Sequence, residues 1–397
     1  MSEAAAGKMA APATGVKVRM YRQALSDCFL LAFPTRGPRP CYMLVDCGMQ
    51  LGTVVAADTM KKAAASLALA TGGKIDVLVA TREHWDHAAG FQQAKEAFDP
   101  IEVGQVWAPW TEDPKHPAAQ RLRARREIAM RALHEAAQEL RQCGEEDSAG
   151  SLEWVLGSFG DLGKDGRPAA AQQTMAYLFG RGRPPRYLWP GDRLELPGVD
   201  GARVYVLGPP AVAPGLAAAE GTAHEAGGAE LKTHSFPFEP YYRVLVDAAR
   251  QDPFFQVSYF GVAGQPSEHE MAWRQIETEW LTSASHLTAQ LDASANHAGL
   301  ALAVELMPSG KVLLFATGAL TDDWLSAGSS GWTMPPMPLA PLFQSLLEKS
   351  EGQVPSHSPQ LSPGEWKDFE KRCHVTADYV ELTVGEPEAR PRRKKKG

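Results

Sequence analysis

The residues best equipped for chemistry are Thr81-Arg82-Glu83-His84-Trp85-Asp86-His87, which bring two imidazoles and a carboxylate close together. In an extended loop, His84 and Asp86 fall on one side of the backbone and His87 adds an adjacent nitrogen. Imidazole and carboxylate donors in that arrangement suit a zinc-type ion and supply part of its ligand set. Asp86, the carboxylate of the set, is also the candidate catalytic residue. Two residues before His84, where a further donor would continue the same side, stands Arg82, a permanent cation. A guanidinium close to a divalent ion repels it. The loop therefore has three readings. It holds one metal on His84, Asp86 and His87; or Arg82 fills the metal's space and pairs with Asp86; or Arg82, His84 and His87 bind a phosphate or carboxylate.

Strands and helices must position this loop. Residues 75–80 form an apolar strand that runs directly into it, and 88–98 has the composition of a helix leaving it. Upstream, 16–21 alternates, while 28–33 and 41–45 are apolar runs, the second ending at Asp46-Cys47-Gly48. Residues 60–69 read as a helix, and 103–107, 193–196 and 204–207 as strands. A helix over 273–291 precedes a strand pair, 300–306 and 311–315, joined at Pro308-Ser309-Gly310. Residues 111–183 read as a helical insertion. Within it, 117–142 carries Leu122, Ala129, Leu133, Ala136, Ala137 and Leu140 near helical spacing, and Gly144 serves as terminator. Arg121, Arg123, Arg125 and Arg126 read as a solvated face of that helix. The whole predicts a layered α/β (α+β) protein with mixed sheets.

Composition narrows the classes. The chain has 397 residues, 44% hydrophobic and 22% charged, which is globular composition. A net charge of −7 does not support nucleic-acid coating. No apolar run reaches the roughly 18 residues of a membrane span, and 1–15 lacks a signal-peptide core, so the expected location is cytoplasmic. Five cysteines without a CxxC pair read as reduced thiols. There is no Ser-His-Asp arrangement, Walker loop or dinucleotide fingerprint. Trp85, Trp107 and Trp110 read as packing residues near the loop, and His224, His234, His357 and His374 as ordinary histidines.

Taken in order, Ser26-Asp27-Cys28, Leu44-Val45-Asp46-Cys47-Gly48, the 81–87 loop and the 296–315 strand pair resemble the metallo-β-lactamase superfamily over roughly 16–324. Within it they are similar to the branch containing the ComEC-type competence proteins. Trp110-Thr111-Glu112-Asp113-Pro114 and Leu207-Gly208-Pro209-Pro210 are similar to a little-characterised bacterial group there. The resemblance implies an αβ/βα four-layer sandwich with the site where loop ends of the two sheets meet. It implies domain limits too: a disordered tail at 1–15, the sandwich at 16–324, and an atypical Pro-rich segment with a basic tail at 325–397.

That family's chemistry needs two adjacent cations that generate and clamp a hydroxide. By the resemblance, Arg82 stands where the first ligand imidazole belongs and Gly318 where the bridging carboxylate belongs. No terminal His-His-Gly-Ser segment follows Trp324. His297 is an additional candidate ligand. Losing one imidazole and the bridging carboxylate weakens binding by about 10⁴-fold. Two function classes follow. One is a catalytically impaired scaffold or regulatory protein that binds a protein partner through the insertion, or an anion in the pocket. The other is a mononuclear hydrolase with one zinc or manganese ion, acting on a phosphodiester or ester.

Overall fold

Strands in a sheet interior need apolar side chains on both faces, and the runs at 28–33, 41–45 and 75–80 have them. In the computed structural model, which describes residues 7–21, 27–48, 56–142, 144, 146–157, 169–209, 298–315, 373–376 and 378–385, these runs are the centre of a large sheet. β1 (Val16–Tyr21), β2 (Phe29–Phe33) and β3 (Cys41–Val45) pair antiparallel. From β3 onward, β4 (Lys74–Val79), β5 (Glu102–Pro109) and β6 (Arg186–Leu188) run parallel. Parallel neighbours require crossovers. These are α1 (Ala56–Thr71), then α2 (Trp85–Gln93) with α3 (Lys95–Phe98), then α4 (Pro117–Gln142), α5 (Glu146–Gly157) and α6 (Ala169–Phe179). A second, antiparallel sheet has the order β10-β9-β8-β7, with β7 at Arg193–Leu194, β8 at Ala202–Gly208, β9 at Ala301–Leu306 and β10 at Lys311–Phe315.

Alternation divides the core in two. Leu30, Ala32, Tyr42 and Leu44 face the helices, packing with Leu67, Phe91, Met175 and Leu178. Leu31, Phe33, Met43 and Val45 face the second sheet, packing with Val204, Val206, Leu302 and Val304. Each such buried side chain contributes about 1.5–3 kcal/mol, so a one-residue slip of β2 or β3 would disturb both cores at once. The protein is thus a mixed α/β structure in which helices cover one face of a large sheet and a smaller sheet covers the other.

Several expected boundaries move. The tail expected at 1–15 is tied down from Met9, which is buried, donates its amide to Ala70 O at 2.8 Å and accepts the Tyr42 hydroxyl at 2.7 Å. The segment expected to lie apart at 325–397 contributes β11 (Cys373–Val375) and β12 (Tyr379–Val384), and β12 pairs with β1 along its full length. Pro-rich composition hid these strands, since the six-residue β12 is flanked by polar sequence. The insertion is also smaller than 111–183. α4 occupies the expected span and Gly144 follows it at φ +81°, but α6 packs into the main core beneath α2. Among the described residues, α4 and α5 form a separate lobe, with a core of Met130, Leu133, Leu140, Leu152 and Leu156 among others. The 273–291 helix lies outside the described residues. Among those described, no helix is long and apolar enough to cross a membrane, and Cys28, Cys41 and Cys47 are buried free thiols.

The returning C-terminal strand is secured by a buried charge. Arg19 on β1 is 4% exposed and lies 2.7 Å from the Glu381 carboxylate on β12, with its guanidinium 3.9 Å from the Tyr379 ring centroid. Removing one member of such a pair strands the other without a counter-charge. Glu381→Ala is expected to lower the unfolding free energy by about 3 kcal/mol in a urea titration. A loss near zero would mean that β12 is not held through Arg19.

Candidate functional site

The parallel strands carry their chemistry at their C-terminal ends, where an open α/β sheet places its sites. β3 ends in Asp46, β4 in the 81–87 loop, and β5 in a 3-10 turn at Trp110–Glu112. The second sheet reaches the same edge. Leu300 donates its amide to Thr81 O at 2.8 Å, the Thr111 hydroxyl donates to Ala298 O at 3.0 Å, and the Trp110 indole donates to Pro209 O at 3.3 Å.

Asp46 organises this edge. It is 1% exposed and holds φ +53°, a left-handed conformation that an Asp tolerates better than most residues. Its carboxylate accepts the Thr81 amide at 2.8 Å, the Thr81 hydroxyl at 2.6 Å and His87 Nδ1 at 2.8 Å. The backbone continues the clasp: Cys47 donates to His87 O at 3.0 Å and Gly90 donates to Cys47 O at 2.9 Å. Gly90 has to be a glycine here, because a Cβ would stand 2.5 Å from Cys47 O.

The loop differs from the extended strip that alternation implies. His84 is the N-cap of α2, with φ −55° and ψ 140°, and helix begins at Trp85. Asp86 and His87 therefore lie in the first helical turn, where His87 and Ala88 donate their amides to His84 O. The Arg82 guanidinium meets His87, with Nη2 2.5 Å from Nε2; the pairing of Arg82 with Asp86, one of the three readings of the loop, involves a side chain outside the described residues. Guanidinium N–H groups only donate, so Nε2 accepts and Nδ1 carries the proton that Asp46 receives. Both nitrogens of His87 are thereby hydrogen-bonded.

His84 and His87 are buried, 4% and 5% exposed. The side chains of Asp86 and Trp85, and the whole of His297 and Gly318, lie outside the described residues. Trp107 and Trp110 are fully buried, in keeping with packing. Asp27, Asp46 and His87 offer donor atoms within 4.8 Å of one another, a possible metal-ligand group that shares only His87 with the expected set. Asp46 accepts three hydrogens, one on Oδ1 and two on Oδ2, so within this group it already organises Thr81 and His87 through hydrogen bonds while Oδ1 keeps a lone pair.

Behind the loop lies a charge cluster that the sequence concealed. Arg123 and Arg126, expected on a solvated face, turn inward. Arg126 Nε is 2.9 Å from Glu83 Oε1, with side chains 11% and 9% exposed. Arg126 and Arg123 each lie 3.9 Å from a Glu112 carboxylate oxygen, and Arg123 donates to Glu112 O at 3.3 Å. Helical spacing puts Arg123 and Arg126 on one side of α4, which was a readable signal. What could not be read was that two buried acids, Glu83 and Glu112, would face that side.

Burial pushes the Glu83 carboxyl up to about 7, with Arg126 opposing and Glu112 adding to the rise. Burial, and then the charges of Arg82 and Arg126, hold the His84 imidazole well below its ordinary value. The two groups act oppositely on stability. Glu83 favours folding below its ordinary value of 4.5, and that contribution disappears as pH rises to about 7. His84 favours folding above its ordinary value of 6.5, and that contribution is lost as pH falls below it. The unfolding free energy of the natural protein relative to Glu83→Gln is expected to fall between pH 4.5 and 7. Relative to His84→Gln it is expected to rise as pH climbs through 6.5. Denaturant titrations across this range check both slopes, and differences independent of pH would contradict them.

Comparison with protein-family models and with curated proteins finds no match to this chain.

Proposed function

We propose that this chain is a metallo-β-lactamase-like sandwich whose metal pocket has been taken over by Arg82. In this reading it works as a non-catalytic scaffold or regulatory protein. The observation that carries the proposal is the Arg82 guanidinium 2.5 Å from His87 Nε2, the nitrogen left for a metal once Nδ1 is bonded to Asp46. The architecture supports it: two packed sheets, helices outside the larger one, and a His-x-Asp-His sequence leaving the C-terminal end of β4. The pocket's ligand, where it has one, is an anion such as a phosphate or carboxylate, the group a guanidinium between imidazoles recognises. The α4–α5 lobe, which bears Trp154 at 65% exposure, is the surface we assign to a protein partner.

The proximity of Asp27, Asp46 and His87 favours a second reading, a mononuclear zinc or manganese hydrolase acting on a phosphodiester or ester. Metal analysis separates the two. Protein purified without chelator is expected to carry far less than one zinc or manganese per chain. A full equivalent that disappears in His87→Ala would establish the metalloenzyme instead. The double substitution Arg82→His with Gly318→Asp is expected to raise zinc affinity by up to about 10⁴-fold, the worth of two restored ligands. An unchanged affinity, measured by chelator competition, would show that Arg82 and Gly318 are not the lost-ligand positions.

A further inference from the structure

The lobe formed by α4 and α5 has its own small core, and it meets the pocket loop through charge. The contact falls on Glu83, the residue between Arg82 and His84. Glu83 stands at a bend in the loop and engages the lobe, while the adjacent Arg82 reaches His87. A rotation or withdrawal of Glu83 would carry the Arg82 backbone with it.

Nor is the contact a superficial one. Arg126 and Glu83 are both nearly buried, and their 2.9 Å separation is that of a direct ion pair. Glu112, 4% exposed, lies 3.9 Å from the same arginine and 3.9 Å from Arg123, whose side chain is 28% exposed. Glu83, Glu112 and Arg126 thus form a nearly buried charge group with Arg123 at its edge. A buried group of this kind tolerates few arrangements, because separating any pair strands a charge. The lobe and the loop are therefore held in one relative position or released from it, the behaviour expected of a two-state element.

We infer that the α4–α5 lobe is a control element for the pocket: Arg126, by holding Glu83, keeps the Arg82 guanidinium on His87, and displacement of the lobe frees both. The inference rests on the reading that Arg82 occupies the pocket. Arg126 is in this scheme a positioning residue, acting on His87 through Glu83 and Arg82. A partner that bound the lobe would be felt at the two imidazoles without touching them.

The side-chain nitrogen NMR signals of His87 in the full chain test this, with Arg82→Ala marking the position of Nε2 without the guanidinium. Arg126→Gln is expected to move the His87 Nε2 signal towards that position, and Arg126→Lys, which restores the charge, to keep it at the natural one. Should Arg126→Gln fail to fold, Glu83→Gln serves in its place. It removes the same ion pair, leaves Arg126 beside Glu112, and is expected to shift the signal in the same direction. A folded Arg126→Gln or Glu83→Gln variant whose His87 signals match the natural protein would overturn the inference. The underlying reading fails separately: in that case the natural protein and Arg82→Ala would already share one Nε2 position.

Discussion

One carboxylate sets the geometry on which the pocket depends. Asp46 accepts both donors of Thr81 and the Nδ1 proton of His87, and so ties the end of β3 to the end of β4 and to the first turn of α2. The residue adopts φ +53° to do this, at a position where most side chains would be strained. Three donors on one buried carboxylate compensate its removal from water. They also fix the tautomer of His87, and with it the face that Nε2 presents. The loop's conformation follows from these bonds together with the N-cap position of His84, more than from the sequence spacing of potential ligands.

Charge then determines what the pocket can hold. Arg82 brings a permanent cation to His87 Nε2, while Arg123 and Arg126 supply further positive charge behind the loop. Glu83 and Glu112 answer those two arginines, so no net negative charge is left among the four to attract a divalent ion. The burial that raises Glu83 and lowers His84 acts in one direction: it favours neutral groups at the centre of the site.

Much of the scaffold was legible in the sequence because it rests on local pattern. The apolar runs of β2, β3 and β4, the alternation of β1, the turn at Pro308-Ser309-Gly310 and the 26-residue helix α4 all carry strong periodic or turn signals. β12 was not legible, since a six-residue strand after a Pro-rich stretch gives no sign that it will pair with β1. At the site, the sequence identified His84, His87 and the anomaly of Arg82. It did not show that Arg82 would meet His87, nor that helix starts at Trp85 rather than after His87. The inward turn of Arg123 and Arg126 was hidden for a similar reason. A helix face is solvated or buried according to what packs against it, and Glu83 and Glu112 come from other elements.

The central claim concerns one atom, His87 Nε2, and zinc addition to the natural protein addresses it directly. Nitrogen NMR of the His87 side chain before and after one equivalent of zinc is expected to show a protonated Nδ1 and a hydrogen-bonded Nε2 that the metal leaves unchanged. A zinc-dependent displacement of the Nε2 signal would contradict the account, because it would place a metal where Arg82 is said to stand.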